Sequence, residues 1–206
     1  AHTLGYYPDG QKPVTSLTEL YVAAEYVQML LLDKVKEWAY ASMGCFPIIS
    51  STSGCEARSV EFVRWDTATE AERAQVKFAR TKNPERAIEK VMRSYSGDVS
   101  RLTDLARQTI VFEEIDSIMN CLMIIGQDDS VKVLKVKNRL DPDYDSLKSA
   151  GYRDVSILLR IDSEEACSIG VDLHVAELQL VPKDIAEQKN GAGHKRYVAY
   201  RSKRAE

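Results

Sequence analysis

Apolar residues recur at helical spacing from Leu17 to about Met43: Leu20, Ala23, Ala24, Val27, Leu30, Leu31, Val35, Trp38 and Ala39. This predicts one long amphipathic helix, with Asp33 as a point where it can break. Ser16 is an N-cap residue type, and Glu19 stands three positions on, the capping-box spacing. Residues 1–16 are rich in Gly, Pro and Tyr without periodicity and read as an irregular arm. Pro47 and the Ser50–Gly54 cluster mark a loop. Residues 55–74 lean towards helix, most clearly over Thr67–Arg73. Val76 and Phe78 alternate with Gln75, Lys77 and Ala79, predicting a short strand that ends near Lys82.

Asn83-Pro84 combines an N-cap residue with Pro at the first helical position. The helix it opens runs through Ile88, Val91 and Met92 to Tyr95 and stops at Gly97. Ala106–Glu113 is strand-like around Thr109-Ile-Val-Phe. Asp116–Ile125 is helical and closes at Gly126. Val131–Lys137, Gly151–Ile161 and Val171–Leu180 alternate as strands do. Pro182 begins a short helix, Gly191 and Gly193 interrupt it, and a basic helix runs to the end. The order predicts an α/β (α+β) fold, a mixed sheet of about five strands flanked by helices. Residues 1–74 read as an arm and helical segment packed on a core formed by residues 75–206, the whole making one compact domain.

A chain of 206 residues, 44% hydrophobic and 29% charged, has the composition of an ordinary globular domain. Its net charge of −3 gives no global reason to bind a large nucleic acid or a membrane surface. An anion site must therefore come from a local cluster of Lys and Arg. No apolar run is long enough to span a bilayer, and no secretory signal opens the chain. A cytoplasmic protein, or a fragment or processed form of one, is expected. Cys45, Cys55, Cys121 and Cys167 form no Cys-x-x-Cys pair, which argues against zinc. Cys121 reads as buried packing. Cys45 and Cys55 flank the Ser/Gly loop and could pair, with free thiols in a reducing compartment the favoured reading.

Several residues stand out for chemistry. Val171, Leu173, Val175, Glu177 and Gln179 fall on one face of the last predicted strand. The first three read as core, so the register puts Glu177 at a core position, which is costly unless it is paired or metal-bound. The plain alternative is a strand that twists out, leaving Glu177 solvated. Asp104 stands at the entrance of the Ala106–Glu113 strand. If the two strands are neighbours, their carboxylates and a set of phosphate oxygens would suit Mg²⁺. Arg80, Lys82 and Lys90 cluster about a helix start whose N–H groups favour an anion; the plain alternative is a solvated helix with pairs across turns. Tyr152, after Gly151, reads as a stacking platform for a base or as an ordinary edge aromatic. His194 lies in a polar cluster with Lys195, Arg196 and Tyr197.

Taken in order, these segments resemble the alarmone synthetase domain of the RelA/SpoT type, within the polymerase-β-like nucleotidyltransferase superfamily, over roughly residues 76–200. Arg80-x-Lys82-x-Pro84 with Lys90 resembles the Arg-x-Lys-Ser-Pro segment that holds ATP phosphates. Asp104-Leu-Ala resembles the Asp-x-Ala-Gly-x-Arg strand, whose Asp binds Mg²⁺. Lys137 matches the Lys of Lys-Asp-Tyr-Ile. Lys148-Ser-Ala-Gly-Tyr152-Arg153 resembles Lys-x-Asn-Gly-Tyr-Arg, Glu177-Leu-Gln179 resembles Glu-x-Gln, and His194-x-x-Tyr197 resembles His-x-x-Tyr. The chain departs from the pattern at Arg107 (Gly), Thr109 (Arg), Ala150 (Asn), Ser156 (His) and Val181-Pro182 (Arg-Thr).

The resemblance implies a divergent, synthetase-only member without a preceding hydrolase domain. It would move pyrophosphate from ATP to the 3′-hydroxyl of GDP or GTP. Asp104 and Glu177 would be catalytic and hold Mg²⁺. Arg80, Lys82 and Lys90 would hold the donor phosphates, and Lys137, Lys148, Tyr152, Arg153, Gln179 and His194 would line the nucleotide site. A homo-oligomer is compatible with this reading. The alternatives are a binding or regulatory module without turnover, or a transferase acting on an adenine nucleotide or an RNA 3′ end.

Overall fold

In the computed structural model, which describes residues 14–49, 60–149 and 151–189, the long helical periodicity forms α1 (Leu17–Ala41). The Ser16 hydroxyl accepts from the Glu19 N–H, and the helix passes Asp33 unbroken. The other helices are α2 (Glu70–Gln75), α3 (Pro84–Tyr95), α4 (Ile115–Gly126), α5 (Glu164–Ser168) and α6 (Lys183–Lys189). The strands are β1 (Cys45–Ile49), β2 (Val60–Arg64), β3 (Arg107–Phe112), β4 (Val131–Asn138), β5 (Val155–Ile161) and β6 (Ala176–Pro182). They form one mixed sheet of six strands, in the order β2-β1-β3-β6-β5-β4. Only β3 and β6 run parallel. Among the described residues, no helix is long and apolar enough to cross a membrane.

Two of the six strands, β1 and β2, come from a stretch read as loop and helix. Pro47 does not prevent β1 from pairing with β2. Its carbonyl accepts from the Lys77 N–H, on the side away from β2, so its missing N–H removes no rung of that ladder. The Val60–Arg64 run pairs along its whole length with β1, and the helix begins only after Thr69, which makes a full capping box with Glu72. Cys45 is a free, buried cysteine; the Ser50–Gly54 loop, Cys55 and the final basic helix lie outside the described residues.

One sheet face carries the core. Ile110 and Phe112, Leu178 and Leu180, and Val155, Ile157, Leu159 and Ile161 are all buried there with Leu20, Ala24, Val27, Leu31, Val35 and Trp38 of α1. Each such large side chain contributes roughly 1.5–3 kcal/mol relative to exposure. The turn from α1 into β1 is tight, since a Cβ on Gly44 would stand 2.4 Å from Ile110 Cγ2. On the opposite face a smaller cluster of Cys45, Val111, Val181 and Ala186 closes one end of the sheet beneath α6.

Residues 76–82 are not a strand. Val76 makes one isolated bridge to Ile48, and residues 77–80 are extended without a ladder. Side chains satisfy this backbone instead. Gln108 accepts from the Ala79 N–H at 3.2 Å and donates to the Ala79 carbonyl at 3.1 Å. From α1, residues seven apart reach the same segment: Tyr21 donates to the Lys82 carbonyl at 2.7 Å, and Gln28 donates to the Ala79 carbonyl at 2.6 Å. Gln28 also takes the place of a missing strand neighbour for β3, accepting from the Arg107 N–H at 2.8 Å and donating to the Arg107 carbonyl at 3.2 Å.

Gln28 is 9% exposed, so its loss would orphan backbone groups that water cannot easily reach. Gln28→Ala is expected to lower the unfolding free energy by about 2–3 kcal/mol. Urea unfolding followed by circular dichroism measures this, and a midpoint equal to wild type would contradict the clamp.

Candidate active site

The parallel register places Arg107 beside Glu177 and Thr109 beside Gln179. Across the antiparallel β5–β6 pair, Glu177 meets Leu158 and Gln179 meets Ser156; β4 then adds Lys135 opposite Leu158 and Lys137 opposite Ser156. Two transverse rows therefore cross the sheet on the face away from the main core: Arg107–Glu177–Leu158–Lys135 and Thr109–Gln179–Ser156–Lys137. Paired residues share a face, so these side chains project together.

This corrects the register expected for Glu177. The strand begins at Ala176, and Ala176, Leu178 and Leu180 are its buried side. Val171–Val175 is a turn, held by bonds from the Val171 N–H to the Ala166 carbonyl and from the His174 N–H to the Val171 carbonyl. Glu177 thus lies on the polar face and is only half-buried. Its Oε1 accepts from the Ser156 hydroxyl at 3.0 Å and from Gln179 Nε2 at 3.4 Å.

β4 brings a third lysine to the same face by a bulge. Alternation alone would put Lys132 opposite in sense to Lys135 and Lys137. The register shift between Val133 and Lys135 inserts one residue, and Lys132 pairs with Arg160 of β5 on the polar side. The side chains of Arg80, Arg107, Lys132, Lys135 and Lys137 make no hydrogen bond or ion pair to another described residue.

A second cluster forms just before β3. Asp104 Oδ2 accepts from Lys82 Nζ at 2.5 Å and from Lys90 Nζ at 2.9 Å. α3 presents Lys90 because Asn83 caps its start through the Arg86 N–H and Pro84 fits its first turn. Lys90 and Arg101 also lie over the Tyr95 ring, at 5.3 and 4.7 Å. Burial pushes the Asp104 carboxyl up, but the charges of Lys90 and Lys82 and their hydrogen bonds outweigh it, and the group is held below its ordinary value. Burial likewise opposes the charge on Lys90, yet Asp104 raises it overall; for Lys82 burial prevails and the value falls. Asp104 and Glu177 stand at the same end of neighbouring parallel strands. Among the described residues no group of three His, Cys, Asp or Glu could hold a metal ion.

The loop from β4 to β5 gathers the remaining expected residues differently. Arg153 is occupied as a staple, donating to the carbonyls of Arg139, Asp141 and Tyr144 at 3.3, 3.1 and 3.4 Å. Arg139 pairs with the fully buried Asp154. Tyr152 precedes β5 instead of starting it; its ring is half-buried and its hydroxyl buried. Lys148 is exposed on a short 3-10 turn, 3.8 Å from Asp145. His194 lies outside the described residues. Gln28, Arg107, Lys132, Lys135 and Ser156 did not stand out as site residues in the sequence; the alternation of Lys135 with Lys137 and of Arg107 with Thr109 was the available signal for most of them.

No protein-family model matches the chain, and no curated protein does. Solved structures do. Small alarmone synthetase 2 from Bacillus subtilis aligns over 90% of this chain and 81% of its own, at 18% identity and a TM-score of 0.55. Small alarmone synthetase 1 from the same organism, bound to its product pppGpp, aligns over 90% and 80%, at 14% identity and a TM-score of 0.57. The smu.1046c protein of Streptococcus mutans UA159 aligns over 91% and 79%, at 16% identity and a TM-score of 0.53. This chain has the small alarmone synthetase fold. Within that fold, the polar sheet face that carries Glu177 also carries cations that make no bond to another described residue, and a part-buried Lys–Asp–Lys cluster stands at the head of the adjoining strand.

Because the folded-state value of Asp104 lies below its unfolded one, its contribution to stability is present above the unfolded value and is lost as pH falls through the folded value. Asp104→Asn should remove that share of the acid dependence. At neutral pH it should cost about 3 kcal/mol by leaving the buried Lys82 and part-buried Lys90 ammonium groups without a counter-charge. Urea unfolding at pH 7 and at pH 3 compares the two; equal stability at pH 7 would contradict the ion-pair account.

Proposed function

We propose that this chain transfers pyrophosphate from ATP to the 3′-hydroxyl of a guanine nucleotide in a Mg²⁺-dependent reaction. The observation that carries the reading is the placement of two carboxylates, Asp104 and Glu177, at the same end of the parallel β3–β6 pair, with Lys82 and Lys90 on one of them and unpaired cations around the other. Support for a guanine acceptor comes from the fold neighbour bound to its product pppGpp.

In this reading the acceptor 3′-oxygen attacks the β-phosphorus of ATP. A new P–O bond forms, the bond to the α–β bridging oxygen breaks, and AMP leaves with that oxygen. Glu177 takes the proton of the hydroxyl. The hydrogen bonds from Ser156 and Gln179 go to its Oε1, which orients the carboxylate and leaves Oε2 for the proton. Arg80, Lys82 and Lys90 hold the donor triphosphate, so the lysines exchange Asp104 for phosphate oxygens when ATP binds. Reactions of this kind depend on in-line positioning and charge neutralisation more than on covalent help.

The residues fit Mg²⁺ brought in on the phosphates. Asp104 Oδ1 is buried without a hydrogen-bond partner, a hard oxygen donor in the right setting. Mg²⁺ is commonly held by one or two carboxylates together with phosphate and water. Asp104 and Glu177 would hold the ion, which supplies neutralisation of the charge that develops on the phosphates. Lys137, Lys148, Tyr152 and His194 are assigned to the acceptor side, with Tyr152 against the base.

The test is incubation of labelled ATP and Mg²⁺ with GDP, GTP, ADP and AMP in turn, followed by separation of the products. Wild type should release AMP and pyrophosphorylate GDP or GTP. Glu177→Gln should fold normally, because residue 177 is on the half-exposed face, and should lose at least about 100-fold in rate. Undiminished turnover in that variant would sink the assignment of Glu177. Tyr152→Ala should raise KM for the acceptor more than it lowers kcat; an unchanged acceptor KM would remove Tyr152 from the site.

A further inference from the structure

Three charged side chains are buried among the described residues: Lys82, Asp154 and Arg160. Lys82 is paired with Asp104, and Asp154 with Arg139. Arg160 is 5% exposed, and both its Nε and its Nη1 are buried without a hydrogen-bond partner. A lysine in such a place can shed its proton, whereas a guanidinium cannot. A buried, unpaired, permanent cation is costly. The sequence conceals it, because Arg160 sits within an otherwise apolar run, Ile157-Leu-Leu-Arg-Ile161.

Its direction follows from alternation along β5. Ile157, Leu159 and Ile161 turn into the main core, so Ser156, Leu158 and Arg160 turn to the polar face. Lys132 is its register partner. One step along the same face, Leu158 lies between Lys135 and Glu177, with Arg107 beyond. Arg107, Lys132 and Lys135 make no bond to another described residue through their side chains. Register thus places four cations, Arg107, Lys132, Lys135 and Arg160, on the sheet face that carries Glu177. The Lys82–Lys90 pair differs, since its charge is already partly met by Asp104.

We infer that Arg160, with the β4 lysines and with Arg107 at the end towards Lys82, forms a second phosphoryl-binding subsite on the sheet face beside Glu177, and that it takes the phosphate chain of the acceptor nucleotide. Assignment to the acceptor rests on the pyrophosphate transfer proposed above; recognition of a phosphoryl anion does not. Arginine suits the role because its fork meets phosphate oxygens in pairs.

Inorganic pyrophosphate is the probe, used in calorimetric titrations and thermal melts of the whole chain. Arg160→Met keeps most of the side-chain length and removes the charge. Without ligand its Tm should equal or exceed that of wild type, because no partner is lost. Its titration with pyrophosphate should show one site fewer, or a site at least about tenfold weaker, than wild type. Arg107→Ala, on the half-exposed part of the face, should weaken binding in the same direction. A lower Tm with an unchanged pyrophosphate isotherm would show Arg160 to be structural and overturn the subsite, as would identical isotherms alone. Arg160-dependent binding in a chain that forms no pyrophosphorylated product would uphold the subsite and overturn only the reaction.

Discussion

The Gln28 side-chain amide is the contact on which the site depends. On its β1 side β3 lacks a strand neighbour at Arg107, because β1 pairs with β3 only at Cys45. Gln28 supplies the missing donor and acceptor and also holds Ala79. A helix behind the sheet thereby fixes the lateral position of residues 79–82 against β3. Tyr21 and Glu25 extend the contact along the same stripe of α1, to Lys82 and Thr81. Lys82 can then reach Asp104, three residues ahead of β3. The long N-terminal helix, an unassigned feature of the sequence, is in this way a scaffold for the phosphate-facing segment as well as a core element.

The site holds its charges in two states. Around Asp104 they are paired and buried, and the balance of burial against Coulomb attraction keeps the carboxylate ionised. Across the polar face the cations make no bond to another described residue, and they outnumber the carboxylate. A cluster of the first kind holds its shape without ligand, with two ammonium groups ready to exchange one oxyanion for another. A face of the second kind attracts anions and has little to give up on binding them. Together they concentrate positive charge locally, although the net charge of the chain is −3.

Where local chemistry decided the structure, the sequence was legible. The Ser16 and Asn83 caps, Pro84, the period of α1, and strands β3 and β4 read directly because each signal lies within one element. Three features were lost to longer-range effects. Pro47 reads as a breaker, yet in β1 its N–H is not required by β2. Residues 76–82 alternate like a strand, but side-chain amides from Gln28 and Gln108 replaced the ladder. Val171–Val175 alternates too, but the turn after Gly170, at φ 72°, moved the start of β6 to Ala176, and of the two readings open for Glu177 the one off the core holds. The bulge in β4 and the orientation of Arg160 needed the register itself. Arg153 matched a motif by type, but the loop carbonyls around it claimed the guanidinium.

The central claim is that two phosphate-binding clusters share one sheet face. Hydrogen–deuterium exchange with mass spectrometry tests it most directly. MgATP alone should slow exchange over residues 80–90 and 104–109, and subsequent addition of GDP should slow exchange over residues 132–137 and 156–160. Protection confined to other elements, or no second zone of protection with GDP, would contradict it.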